Sequence, residues 1–217
     1  MRGEPQLVQE TSDRLSAVSA EHGLTDWLYW AECLRGWAIA MQGRHEEGIA
    51  KIRENQDALA ARGLGVWRPY FFCLLADAYL CANRVDDGLR IVTEAVAVAE
   101  EHQERAHESQ IYRLKGELLL KLPDPDLEEA RESFERASRV AQIQEARSFE
   151  LCATTSLARL VRKRDDREAA YTRLKKIYNW FSEGFETASL KQARALLDEL
   201  RSVSKRLERS SARPTAS

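Results

Sequence analysis

The sequence predicts an all-α fold: a right-handed solenoid of about four stacked helix pairs, with one extra helix at each end. Three observations carry this expectation. Leu, Ala, Glu and Arg dominate, all good helix formers, and only 10 Gly and 5 Pro interrupt 217 residues. The chain also matches itself. CLRGWAIAMQGRHEEGI (33–49) aligns without gaps on CLLADAYLCANRVDDGL (73–89), setting Gly36 on Ala76, Gly43 on Asn83 and Gly48 on Gly88. Finally, small residues recur in two series. One is Gly36, Ala76, Gly116 and Ala158. The other is Gly48, Gly88, Ala130 and Ala170, each followed one helical turn on by Ile52, Val92, Phe134 or Leu174. A single amphipathic helix pair cannot bury both apolar stripes, whereas stacked copies bury a continuous core.

The elements follow in order. Residues 6–21 read as an amphipathic helix ended by Gly23, with Thr25 able to cap the next. The first pair spans about 26–42 and 45–61, the second about 67–82 and 85–103. The third has helices at about 106–121 and 125–144, with Asp124 as cap and Pro125 at the first helical position, where a missing N–H costs nothing. The loop LPDPD lengthens that unit by two residues. The fourth pair spans about 147–163 and 166–182, and a last helix at about 188–209 closes the array. The repeats are thus about 25–63, 65–104, 105–145 and 146–183, within a single domain of 1–209. The closing helix lies at 187–209, and 210–217 is expected to be a disordered tail. The first small residue of each unit should let the two helices of a pair approach, and the second should let the next pair pack.

Composition excludes several classes. No apolar run approaches the ~20 residues that cross a membrane, and MRGEPQLVQETSD lacks the apolar core of a secretory signal. The four cysteines form no CxxC pair, so a cytoplasmic protein with free thiols is expected. Net charge is −2 but uneven: residues 1–108 carry 11 Lys and Arg against 18 Asp and Glu, and residues 109–217 carry 22 against 17. An elongated molecule with such ends is an electrostatic dipole.

The small residues at the eighth and twentieth positions and the large apolar one at the twenty-fourth resemble the tetratricopeptide repeat, here in a longer unit. Three segments, WRPYFFCLLADAYLCANRVDDGL (67–89), YRLKGELLLK (112–121) and NWFSEGFETASLKQARALLDEL (179–200), resemble the C-terminal repeat region of large bacterial signalling proteins. Those proteins carry a class III nucleotidyl cyclase domain and an AAA-type ATPase upstream. The resemblance covers roughly residues 25–200 and implies a regulatory or scaffolding segment, either part of such a protein or a stand-alone relative. It brings no catalytic parts, for there is no G-x-x-x-x-G-K-[ST] loop.

The family pattern implies that side chains of the first helix of each pair line a concave groove. Mapped onto this sequence, it gives Trp30, Cys33, Trp37, Ala40 and Met41 from the first repeat and Tyr70, Cys73, Asp77, Leu80 and Cys81 from the second. The third gives Gln110, Arg113, Glu117, Leu120 and Lys121, and the fourth Cys152, Thr155, Arg159, Arg162 and Lys163. Such a groove is aromatic at one end and basic at the other, and it suits a protein or peptide partner with apolar anchors and an acidic end. An alternative stays open: helix 6–21 folds back over Trp30 and Trp37 and makes them core. The family's Lys, Asn and Arg clamp on a peptide carboxylate is missing, since Cys33, Trp37 and Cys73 stand there, so chaperone-tail binding is not expected.

Other motifs carry less. RLVRKRDDR (159–167) reads as a solvated helix end matching the C-terminal dipole. Nucleic-acid binding would need a broader stripe through Arg173, Lys175, Lys176, Lys191 and Arg194. The four His show no metal spacing, and no nucleophile elbow appears. No enzyme activity, cofactor or metal is expected. Trp180, Phe181 and Phe185 read as a plug for the open apolar end, with a docking knob as the alternative. The expected function is a non-enzymatic interaction module or scaffold of a bacterial signalling protein. Its partner would be a peptide or helix in the groove, or upstream cyclase and ATPase domains of the same parent. A homo-oligomerisation module is the alternative, and nucleic-acid binding through the basic half is a weaker one. No membrane partner is expected.

Overall fold

The computed structural model describes residues 4–64, 67–160 and 164–211, and of residues 164–165 and 202–211 it describes the backbone alone. Among the described residues ten helices follow one another: α1 Pro5–Glu21, α2 Thr25–Met41, α3 His45–Ala61, α4 Arg68–Cys81, α5 Val85–Glu101, α6 Glu108–Leu119, α7 Leu127–Ile143, α8 Arg147–Leu160, α9 Arg164–Tyr178 and α10 Ala188–Ser211. Among these residues no strand occurs, and no helix is long and apolar enough to cross a membrane. The fold is all-α. The last helix runs past the expected boundary at 209 and includes residues 210 and 211. The rest of the expected tail lies outside the described residues.

Six turns share one geometry. Gly23, Gly43, Gly63, Asn83, Gln103 and Glu145 have φ of 66, 95, 76, 56, 54 and 55°. After each, the next N–H returns to the carbonyl five residues back: Leu24 to Ser19, Arg44 to Ile39, Leu64 to Leu59, Arg84 to Tyr79, Glu104 to Ala99 and Ala146 to Ala141. This is the Schellman ending, which favours glycine because an L side chain crowds the left-handed backbone. The first five turns are evenly spaced along the chain. The loop at 122–126 then replaces one such turn and moves the register by two.

Two expected caps differ. Thr25 is already helical, and Leu24 before it offers no side-chain oxygen. At α7 the cap is Asp126, not Asp124, and it accepts from the backbone N–H groups of Glu128 and Glu129, each at 3.0 Å. Helix α7 starts later than expected because Asp126 sits where its short carboxylate reaches both free donors, leaving Pro125 outside the helix. Helices α2, α3, α5 and α6 have no side-chain cap and start instead with acids near the positive helix end: Asp26, Glu46 and Glu47, Asp86 and Asp87, and Glu108.

Each helix packs on the next. The even-numbered helices from α2 to α10 also meet one another in series, while among the described residues no odd-numbered helix meets another. The even helices therefore form the inner row. Missing side chains set the close approaches. A Cβ on Gly36 would stand 2.9 Å from the Gly48 carbonyl oxygen and from Ile52 Cγ1, and one on Gly116 would stand 2.5 Å from Phe134 Cε1. Gly88 faces Leu118 of the following pair, as expected of the second small series. Gly48 does not: its Cβ would run into Ala40 and the Gly36 carbonyl within its own pair. The first pair has glycine on both sides, so its helices come closer than a Gly–Ala pairing allows.

The apolar core falls into two large clusters and two small ones, and half-buried Leu89 and Val96 tie the first large cluster to the small ones. One cluster runs from α2 to α6 and includes Ile52, Phe71, Phe72, Leu75, Tyr79, Ile111 and Leu118. Another joins α8, α9 and α10 through Leu151, Leu174, Leu190 and Leu197. Between them lie two small clusters, Leu119–Ala130–Phe134–Leu157 and Tyr112–Ala137–Ala153. Most buried polar side chains gather at this junction: Glu108, Ser109, Ser133, Ser138, Glu150, Thr154, Thr155 and Ser156. Arg173 Nη2 donates to Ser138 Oγ at 2.9 Å, and Gln142 Nε2 donates to Glu150 at 2.9 Å.

Candidate functional site

The inner row of even helices encloses a cleft of about 350 Å³. Each even helix contributes a wall: Trp37 from α2; Tyr70, Cys73 and Asp77 from α4; Gln110 and Arg113 from α6; Cys152, Thr155 and Arg159 from α8; and Ser189 and Gln192 from α10. Residues far apart in sequence meet here because equivalent helices follow one another along the row and present the same face each time.

Aromatic rings form one wall. Trp30 stacks on Tyr70 with centroids 5.6 Å apart and an interplanar angle of 26°, and its edges meet Trp67 and Phe71. The series continues from Tyr70 to His107 at 4.8 Å and from His107 to Phe149 at 6.3 Å. Burial holds the His107 imidazole below its ordinary value. Trp37 is only 3% exposed, and its Nε1 donates to Asp77 Oδ2 at 2.8 Å. That bond fixes the ring edge and one carboxylate oxygen at the cleft wall.

The polar groups divide by partner. Arg113 Nε donates to Gln110 Oε1 at 2.7 Å, with the Glu117 carboxylate 3.9 Å away. Arg159 Nη2 donates to Gln192 Oε1 at 3.1 Å and is exposed. Two guanidinium groups thus face the cleft held chiefly by neutral amides, which leaves much of their charge for an incoming group.

Several expected groove residues sit elsewhere. Cys33 is fully buried and its thiol points to the Ile52 carbonyl, because this face of α2 turns toward α3. Met41 lies beside Cys81, with Sγ and Sδ 3.6 Å apart. Glu117 accepts from Ser156 Oγ. Cys33, Ala40, Met41, Leu80, Cys81, Glu117, Leu120 and Lys121 do not line the cleft, and Trp30 backs it through Tyr70. Arg162 and Lys163 lie outside the described residues. Trp37, Tyr70, Cys73, Asp77, Arg113 and Arg159 do line it.

The question of whether Trp30 and Trp37 are core resolves differently for each. Trp37 is buried against α4, while Trp30 is half-buried among rings of α2 and α4. Helix α1 packs on α2, and its Val8 adds to the cluster that holds Trp37. Its polar contacts run to another flank of α2, with Ser16 Oγ donating to Glu32 at 2.9 Å and Asp13 pairing with Arg35 at 3.0 Å.

His107 and Phe149 escape the sequence reading. They lie one helical turn before the positions it uses, and the signal is present: Trp27, Trp67, His107 and Phe149 occupy equivalent places in the four units. Ser189 and Gln192 also escape it, because α10 belongs to no recognised repeat.

Burial pushes both the Cys33 and Cys73 thiols up to about 12, far from the thiolate that attacks a substrate. Among the described residues no group of three or more His, Cys, Asp or Glu is placed to hold a metal ion.

No protein-family model matches the chain, and no curated protein matches it. Among solved structures, the crystal structure of BtubC (BKLC) from P. vanneervenii is similar, with a TM-score of 0.65 and 13% sequence identity over 98% of this chain and 95% of that one. At that identity the likeness is one of fold.

Proposed function

We propose that the chain is a tetratricopeptide-like right-handed solenoid acting as a non-enzymatic interaction module, with a partner's peptide or helix held in the cleft of the even helices. The observation that carries the reading is that one cleft draws its walls from α2, α4, α6, α8 and α10. Such a surface spans the molecule and matches an elongated ligand better than a compact one. The series of rings offers apolar anchors, and Arg113 and Arg159 offer charge beside them, the pairing of residue types that dominates binding energy at interfaces. On this reading the chain serves a signalling protein of the cyclase and ATPase class, as its resemblance in sequence implies.

The test compares wild type with the triple variant Arg113→Ala, Phe149→Ala, Arg159→Ala as bait in host lysate with nuclease present, after matched melting curves. Proteins retained by wild type and lost by the variant support the cleft as partner site. An identical retained set, or none at all, refutes it.

A further inference from the structure

A second chamber, of about 720 Å³, adjoins the cleft and shares Gln110, Phe149, Cys152 and Ser189 with it. Its outer wall is the connection from α9 to α10. The expected plug is only partly one: Phe181 packs on the α8–α10 cluster, while Trp180 and Phe185 stand 61% and 40% exposed. The Trp180 ring meets Phe181 edge to face at 5.2 Å, and both line the chamber with Phe149, Leu151 and Leu190. Among the described residues Glu183 is the only charged group in its lining.

Helix α8 joins the two spaces. Phe149, Cys152, Thr155 and Arg159 recur every three or four residues, so they share one face of α8 and run from the chamber into the cleft. Phe149 and Arg159 stand about 15 Å apart along the helix axis, from the rise of about 1.5 Å per residue. Charge changes sign along this stripe. Glu183 stands at the chamber end. Towards the other end Arg159 donates to neutral Gln192, and Arg113 of the facing α6 donates to neutral Gln110. The acids near them are held elsewhere. Glu117 accepts from Ser156 Oγ and lines neither space, and Asp77 accepts from Trp37 Nε1 on α4, further along the row.

We propose that chamber and cleft form one elongated site for an extended peptide. An aromatic side chain of the peptide fills the chamber, and an acidic one meets Arg159 and Arg113. This rests on the cleft being a partner site and adds the partner's chemistry and register. An extended chain advances about 3.3–3.6 Å per residue, so the two anchors lie about four or five positions apart. The guanidinium forks suit a carboxylate, and Glu183 repels one from the chamber, so the acid has a single place to go. Trp180 and Phe181 supply ring faces and edges for the aromatic anchor.

Selection from a displayed library of random peptides about twelve residues long, with the full chain as target, tests this. Enriched peptides should carry an aromatic residue and an Asp or Glu four or five positions apart. A synthetic peptide of the enriched sequence, followed by fluorescence anisotropy, should bind about tenfold more weakly to Trp180→Ala and to Arg159→Ala. Both side chains are exposed, so helicity should match wild type. Replacing the peptide's acid by alanine should weaken binding to wild type by a similar factor and leave binding to Arg159→Ala almost unchanged. Replacing its aromatic residue should do the same with Trp180→Ala. A merely destabilised variant would not show that pairing. Anchors ten or eleven positions apart, as a helix would place them, would overturn the proposal. So would enriched peptides with no shared pattern, affinities indifferent to both variants, or no enrichment. A lysate partner lost by the triple cleft variant, together with any of those results, would keep the cleft as a partner site and remove only this occupant.

Discussion

Gly116→Ala measures how tightly the third helix pair is closed. The added Cβ would stand 2.5 Å from Phe134 Cε1 and 2.8 Å from Cδ1 and Cζ, and Phe134 is fully buried. Carbon contacts settle near about 3.5–4.0 Å, so the ring must move by about 1 Å in a packed interior. Overpacking of this kind costs about 1–3 kcal/mol. Alanine is better than glycine within a helix by about 1 kcal/mol, which offsets part of it. The net loss is about 1 kcal/mol, or about 2–4 °C in Tm for a chain of this length. The informative step is a double-mutant cycle with Phe134→Leu, which removes the colliding ring atoms. In that background Gly116→Ala should stabilise, because the propensity gain remains and the collision is gone. The coupling energy, about 1–3 kcal/mol, then isolates the steric cost. Urea melts of the four proteins give the cycle. Additivity within about 0.5 kcal/mol would refute the assigned contact between Gly116 and Phe134. Gly116→Leu cannot be relieved by that exchange and should unfold the pair in either background.

Three further outcomes are expected. Glu145→Gly relieves a left-handed residue with φ of 55° and should raise stability by about 1 kcal/mol in thermal melts, whereas Gly43→Ala, with no neighbour within 4 Å, should lose about as much from backbone strain alone. Asp126→Ala removes the side-chain cap of α7 and should cost about 0.5–2 kcal/mol in a urea melt, while Asp124→Ala should cost nothing measurable. Cys33 and Cys73, with thiols raised to about 12, should stay unlabelled by a thiol reagent at pH 8, and the exposed Cys81 should label first; denaturant should release all four, and rapid native labelling of Cys33 would contradict its burial.

The helices are legible because their signals are local. The apolar spacing, the turn residues and the internal match place every helix start within two residues of the structure, and both bounds of α3 coincide with it. Caps are less legible, because Asp124 and Asp126 both flank a proline and only the backbone path decides which carboxylate meets the free N–H groups. The role of Gly48 is hidden for a related reason: its sequence position equals that of Gly88, but a second glycine at Gly36 lets the first pair close further. At the cleft, the positions on α4 are plain, since Tyr70, Cys73 and Asp77 recur at helical spacing on one face. Cys33 occupies the equivalent place of Cys73 yet faces α3. The partners of Trp37 and Arg159, Asp77 and Gln192, lie far along the chain on other helices, and no local pattern announces either bond.

The polar junction between α7 and α8 has a mechanical meaning. Separating two apolar surfaces exposes them to water at full cost, whereas serine, threonine and glutamate side chains recover hydrogen bonds from the water that enters. The row therefore behaves as two larger apolar blocks joined by smaller, mixed apolar and polar contacts, and local opening should concentrate at that joint. Tyr70 and Arg113 stand on one block, and Phe149, Arg159 and Gln192 stand on the other. Bending at the joint would change the gap between those two groups, so a ligand touching both would act as a brace. Amide exchange along α7, which lines no part of the cleft, would register that brace as slowed opening, at a distance from any atom the ligand touches.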